Sequence, residues 1–225
     1  MDQLFSGFQR MAPSIPYIVS GIWVTLEIAA GGAIIGFLLG TLLALMKIGH
    51  LRLFSAFARG YTSLFRGTPM IMQLALAYFA IPQLLGLGDV NATVVAIITF
   101  GLNSGAYVSE IIRSGINAVD KGQFEAAGAL GISYWPMMKD IILPQAIKNI
   151  LPAMMNEFIT LTKDSALVST IAVTDMMRRS QIVAAQYYMY FPPMFVAFIL
   201  YYIVVMILTM IGDRIERRLN RSDRG

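Results

Sequence analysis

Residues 156–165 carry more polar and ionisable chemistry than any other apolar stretch of this 225-residue chain: Asn156, Glu157, Thr160, Thr162, Lys163, Asp164 and Ser165. At helical spacing Asn156, Thr160 and Lys163 share one face, and Glu157 and Asp164 share a neighbouring one. Lys163 and Asp164 are adjacent in the chain, so they point apart and do not neutralise each other. Groups of both signs can meet a small solute that carries both charges. In hydrocarbon such groups are costly unless something polar lies opposite. Asn103-Ser104-Gly105, in the middle of the preceding apolar stretch, adds two more polar side chains. Two readings are open for this set, a lining for a solute path or a network of interhelical hydrogen bonds. Covalent chemistry has little to work with. There is no cysteine, so thiol catalysis and thiolate metal sites are excluded. The single histidine, His50, lies among basic loop residues and reads as solvated or at headgroup level. No paired His or Ser–Lys arrangement occurs at facing helical spacing.

A second constellation lies at residues 120–145, DKGQFEAAGALGISYWPMMKDIILPQ. Asp120 is expected to cap a helix, with Gln123 completing a capping box. That helix carries Phe124, Glu125, Ala126, Ala127 and Leu130. Gly131 should stop it, since glycine takes the left-handed conformation cheaply. Ser133 is expected to cap a second helix with Pro136 in its first turn. Tyr134, Trp135, Met138, Ile141 and Ile142 lie along it, and Pro144 is expected to close it. Small residues beside an acid and exposed aromatics suit insertion into a groove on another protein. The alternative is an interfacial helix resting on lipid.

The elements that must position these groups follow from composition. The chain is 57% apolar and 13% charged, where a soluble domain is about a quarter charged. A helix needs about 20 mainly apolar residues to cross the hydrocarbon layer. Residues 17–46, 68–87, 92–112, 147–173 and 191–211 meet or approach that length. About five helical spans are therefore expected in one domain over 1–225, an all-α integral membrane chain. Long apolar runs exclude a β-barrel, whose strands would be short and alternating. Asp2 to Pro16 is polar and mixed, and no cleavable signal is expected there.

Orientation is read from Lys and Arg in short loops. Lys47, Arg52 and Arg59 follow the first span. Arg113, Lys121 and Lys139 follow the third, and Arg214, Arg217, Arg218, Arg221 and Arg224 follow the last. The other side holds Arg10, Arg178 and Arg179. The N-terminus is expected outside and the C-terminus inside, with the basic end at the anionic inner leaflet. Nucleic acid is not an expected partner, because no basic stripe lies on a soluble domain.

Gly32, Gly36 and Gly40 recur at four-residue spacing and should admit a close helix neighbour. Glu27 either borders a polar path or reaches the headgroups. Residues 51–65 read as an interfacial helix, followed by a bend or helix start at Arg66-Gly67-Thr68-Pro69, where Thr68 can cap. Arg66 either snorkels or pairs with an acid. Glu110 and Arg113 are expected to form a local ion pair.

The loop at 120–145 also carries a resemblance. Glu125-Ala126-Ala127, three residues, Gly131, nine residues, Ile141, one residue, then Leu143-Pro144 resembles the EAA loop of bacterial ABC-importer permeases. Arg66-Gly67-Thr68-Pro69, Asn103-Ser104-Gly105-Ala106-Tyr107 with Glu110, and Lys163-Asp164-Ser165 resemble the branch that takes up polar amino acids, the histidine/glutamine/arginine type. The resemblance implies a type I ABC-importer permease of the inner membrane with a cytoplasmic coupling-helix hairpin. It implies that Phe124, Glu125, Ala126, Ala127, Gly131, Tyr134, Ile141, Leu143 and Pro144 serve ATPase docking. It further implies a cytoplasmic ATPase dimer that binds the ATP, a second permease subunit, identical or paralogous, and a periplasmic or lipid-anchored amino-acid-binding protein. The chain has no G-x-x-x-x-G-K-[ST] loop, so it is not expected to hydrolyse ATP itself. A stand-alone secondary transporter or channel for a small polar solute is the competing class. It leaves the docking loop without a partner.

Overall fold

The computed structural model describes residues 2–49 and 51–221. His50 and Arg224 lie outside the described residues. The regular elements among these residues are all helical, with no strand. It begins with a short helix α1 (Asp2–Met11), a 3-10 turn and α2 (Ile15–Ser20), which lead into the long apolar α3 (Ile22–Ile48). The amphipathic α4 (Arg52–Arg66) follows. The next segment is made of α5 (Met70–Ala75), a π turn and α6 (Ile81–Leu85). The second long helix is α7 (Ala92–Asn117). The hairpin then folds as α8 (Lys121–Ala129) and α9 (Tyr134–Pro136), which runs through a π turn into α10 (Leu143–Asp164). A 3-10 segment (Ser165–Ile171), α11 (Met176–Tyr187) and the long α12 (Phe191–Arg221) follow.

Among the described residues three helices are long and apolar enough to cross a membrane: Ser6–Ile48, Ala92–Asn117 and Phe191–Arg218. A fourth candidate is the pair Arg52–Arg66 and Met70–Leu85, bent by 99°. The bend falls at Gly67-Thr68-Pro69, where proline disfavours helix at the residue before it. The cap of α5 is Pro69 rather than Thr68. Thr68 Oγ1 instead donates to the Leu64 carbonyl at 2.9 Å. The remaining expected span is α10. It is 22 residues long, about 33 Å of helix, but Lys148, Glu157, Lys163 and Asp164 interrupt its apolar run.

The longest seam joins α3 to α7. Gly32, Gly36 and Gly40 are buried along it. A Cβ on Gly36 would lie 2.7 Å from Ser104, and one on Gly40 2.6 Å from Val108. Between membrane helices there is no hydrophobic driving force in lipid, so such backbone-close packing supplies much of the association. The seam continues into a core of Ile28, Leu74, Phe100, Leu161, Val168 and Ile171, which draws α5, α10 and the 3-10 segment against it.

Polar bonds pin the rest. Tyr61 Oη donates to the Leu102 carbonyl at 2.7 Å, tying α4 to α7. Gln73 donates to the Phe65 carbonyl at 2.9 Å, satisfying that carbonyl beside the bend, and accepts from Asn103 Nδ2 at 2.9 Å. Arg66 lies over the Tyr107 ring, 5.3 Å from its centroid. Its charge thus meets an aromatic face rather than an acid. Glu27 is exposed on α3. The Glu110–Arg113 pair forms at 2.8 Å. Glu110 is shared with Lys47, whose side chain is 3% exposed and sits 2.6 Å away.

Candidate functional site

Two surfaces stand out, and the hairpin is the first. Asp120 caps α8 by accepting from the Gly122 amide at 2.6 Å. The capping box does not close, because the Gln123 side chain turns to Gln145 of α10, 3.5 Å away. Gly131 takes φ +72°. The Ile132 amide donates to the Ala127 carbonyl and the Gly131 amide to the Gly128 carbonyl, both at 3.0 Å, a Schellman ending. Ser133 occupies the next cap position in extended geometry, but its hydroxyl caps nothing.

Pro144 does not close the second helix. The chain stays helical from Tyr134 to Asp164, with a π turn over Met137–Ile142. The Leu143 amide reaches back to the Met138 carbonyl there. Proline lacks an amide hydrogen and its ring crowds the carbonyl one turn back. The widened turn directly before Pro144 relieves that crowding and lets the helix continue.

The hairpin is held from behind. Val119, Met138, Ile142 and Ala146 form a buried cluster that receives Phe124, Ile141 and Ile150. Ala127 is buried, while Glu125, Ala126, Gly131, Tyr134, Leu143 and Pro144 are exposed. Leu130 is 78% and Trp135 76% exposed. Tyr134 and Trp135 meet edge to face at 5.7 Å. The hairpin therefore has its own small core and projects an acid, small residues and two aromatics outward.

The second surface is on α10. Asn156, Thr160 and Lys163 are exposed, and Thr170 of the 3-10 segment is exposed beyond them. The Thr160 hydroxyl donates to the Asn156 carbonyl at 3.0 Å within the helix. Glu157 and Asp164 are half-buried on the adjoining face. Ser104 is fully buried and donates to Glu157 at 2.8 Å. Asn103 is 8% exposed and bonds Gln73 and the Phe65 carbonyl. Ser104 and Glu157 thus meet directly, whereas Asn103 is turned toward the bend of α4 and α5. Two participants carry a weak signal or none in the sequence. Gln73 is a lone amide in an apolar run. Lys47 looks like one more loop charge until Glu110 and Ser109 are found beside it.

Comparison with known proteins places these surfaces in context. The family described as binding-protein-dependent transport system inner membrane component matches residues 36–221. The chain is 51% identical to the arginine transport system permease protein ArtQ of Bacillus subtilis, over 96% of this chain and 98% of that one. It is 49% identical to the putative glutamine transport system permease protein GlnP of Rickettsia felis, over 96% and 99%. A crystal structure of an amino acid ABC transporter with histidines superposes with a TM-score of 0.90 at 38% identity, over 94% of this chain and 98% of that chain. The inward-facing MetNI methionine ABC transporter shares the fold, with a TM-score of 0.73 at 21% identity over 92% and 98%. The match runs over most of the chain, and this protein belongs to the family of inner membrane components of binding-protein-dependent transport systems.

Proposed function

We propose that this chain is the permease subunit of an ATP-driven importer that moves a polar amino acid across the bacterial inner membrane. Membership of the family implies an ATPase partner and a second permease subunit, and the ATPase is a separate chain. One observation carries the reading. The second arm of the hairpin and the polar face of α10 lie on one continuous helical run from Tyr134 to Asp164. A partner seated on the hairpin is thereby joined to the groups that face the solute.

Docking rests on Phe124, Glu125, Ala126, Ala127, Gly131, Tyr134, Ile141, Leu143 and Pro144, of which Phe124, Ala127 and Ile141 support and the others present. The path is lined by Asn156, Thr160 and Lys163, with Glu157 and Asp164 beside them and Asn103 and Ser104 behind. A cationic ammonium and a carboxylate can each find an opposite charge there. The amino acid class is supported by the relatives, described as arginine and glutamine permeases. The whole chain acts as one domain, with its N-terminus outside and its C-terminus in the cytoplasm, as the Lys and Arg distribution favours.

The test is uptake of arginine, glutamine and glutamate into proteoliposomes holding the chain with its ATPase and its solute-binding protein. ATP-dependent uptake of one of these is expected. Uptake by the permease alone, without ATPase, would establish the secondary-transporter reading instead. Accessibility tags in residues 82–93 and near Lys121 test orientation. Labelling of the first only from inside reverses it.

A further inference from the structure

The last helix ends in an arrangement that transport does not use. From Phe191 to Met210 the helix rises about 30 Å, the thickness of the hydrocarbon layer. Little of it is covered: 11% of its apolar window is buried. Along one face Ile199, Ile203, Ile207 and Met210 are all exposed, spaced four, four and three residues apart. The next positions on that face are Arg214, Arg217 and Arg218. Together with Met210 these three arginines enclose a notch of about 470 Å³.

Acids do not fill it. Asp213 approaches Arg217 at 3.9 Å in an exposed pair, too long and too wet to bind the guanidinium firmly. Glu216 lines a different cavity, with Lys148, Asn149 and Ser114. Among the described residues Arg214 and Arg218 have no carboxylate partner. Guanidinium groups match phosphate oxygens in pairs. Arginines placed one to two turns beyond a membrane-length apolar face lie at the depth of lipid phosphates.

We infer that Arg214, Arg217 and Arg218 form a binding site for one anionic phospholipid. Its phosphodiester sits among the three guanidinium groups and an acyl chain lies along Ile207, Ile203 and Ile199. The exposed aliphatic stripe that leads into the notch selects a lipid over a free anion. The site stands apart from the solute path and does not depend on which solute is moved.

The test is native mass spectrometry of the intact importer, permease with its ATPase subunits, delipidated in detergent. It is titrated with phosphatidylglycerol or with phosphatidylcholine of the same chains. The wild type is expected to retain one phosphatidylglycerol per permease under conditions that strip phosphatidylcholine. The double variant Arg214→Gln/Arg218→Gln should bind phosphatidylglycerol about thirtyfold more weakly. Arg52→Gln, a charge loss elsewhere among the inner basic residues, should leave retention unchanged. These side chains are exposed, so folding is preserved, and an unchanged melting temperature verifies that. Equal retention of both lipids, or equal phosphatidylglycerol binding by the double variant, would overturn the assignment. Displacement by excess inorganic phosphate would show an ordinary anion site and overturn it too. Loss of the ATPase subunits with lipid retention intact would show that the arginines face protein.

Discussion

The hairpin and the polar face of α10 are mismatched to their surroundings in opposite senses. In the hairpin, Leu130 and Trp135 are about three-quarters exposed. On α10, Asn156, Thr160 and Lys163 stand exposed on a helix whose neighbours span lipid. The α3–α7 seam shows what a finished surface looks like in the same molecule, with glycines buried to backbone contact. On the proposed function, each mismatch is a surface that a partner or a solute covers. An apolar patch in water asks for a protein groove, and a polar patch in a membrane asks for water, solute or a second subunit. The two are separable experimentally, because one should fail in partner binding and the other in solute discrimination.

The largest effect is expected from Trp135→Ala. A buried aromatic anchor at an interface is worth about 2 kcal/mol or more. Affinity for the ATPase, measured by titration in nanodiscs, should fall about thirtyfold, while the preference among amino acids stays fixed. An altered preference at intact ATPase affinity would break the division between the two surfaces.

Gly131→Leu comes next. Its φ of +72° costs an L side chain about 1–2 kcal/mol. A Cβ there meets nothing within 4 Å, so the defect begins with the backbone conformation. Transport should drop about tenfold as the two arms of the hairpin shift, with normal membrane insertion. Full transport and full ATPase coupling would show that the hairpin does not need its left-handed stop.

Glu157→Gln sharpens the other side. It keeps shape and removes the charge that accepts from Ser104. Selectivity between cationic and neutral amino acids should change by about fivefold if the solute meets this carboxylate, about 1 kcal/mol. A lowered thermal midpoint with selectivity intact would place Glu157 in a structural network.

The smallest effect is expected from Ser104→Ala. An interhelical hydrogen bond in a membrane protein is worth about 0.6 kcal/mol. The melting midpoint should fall by about two degrees and uptake should change less than about twofold. A larger loss of uptake than of stability would make Ser104 a positioning residue for Glu157.

How much of this was legible in the sequence depended on range. The cap at Asp120, the stop at Gly131 and the bend after Arg66 follow local rules, and the structure has them. Pro144 does not end the helix, because the π turn over Met137–Ile142 directly before it makes room for its ring and the helix runs on. Ser133 and Gln123 have the right types for capping, yet Gln123 finds Gln145, 22 residues away. Lys47 with Glu110, and Asn103 with Gln73, join residues 63 and 30 apart. Periodicity fixes which residues share a face, but which face is covered depends on neighbours that one helix does not specify.

The unbroken course from Tyr134 to Asp164 has a mechanical consequence. At about 1.5 Å per residue its contour is about 45 Å, with the π turn and Pro152 as the points where it can bend. Moved as a unit about a point near its middle, it would act as a lever arm. A tilt of about 5° imposed at the Trp135 end would sweep Lys163 through about 2 Å in the opposite direction. Displacement of that size is comparable to the gap between a made and a broken hydrogen bond. A small nudge at the cytoplasmic end can therefore reset contacts at membrane depth without any helix having to unfold.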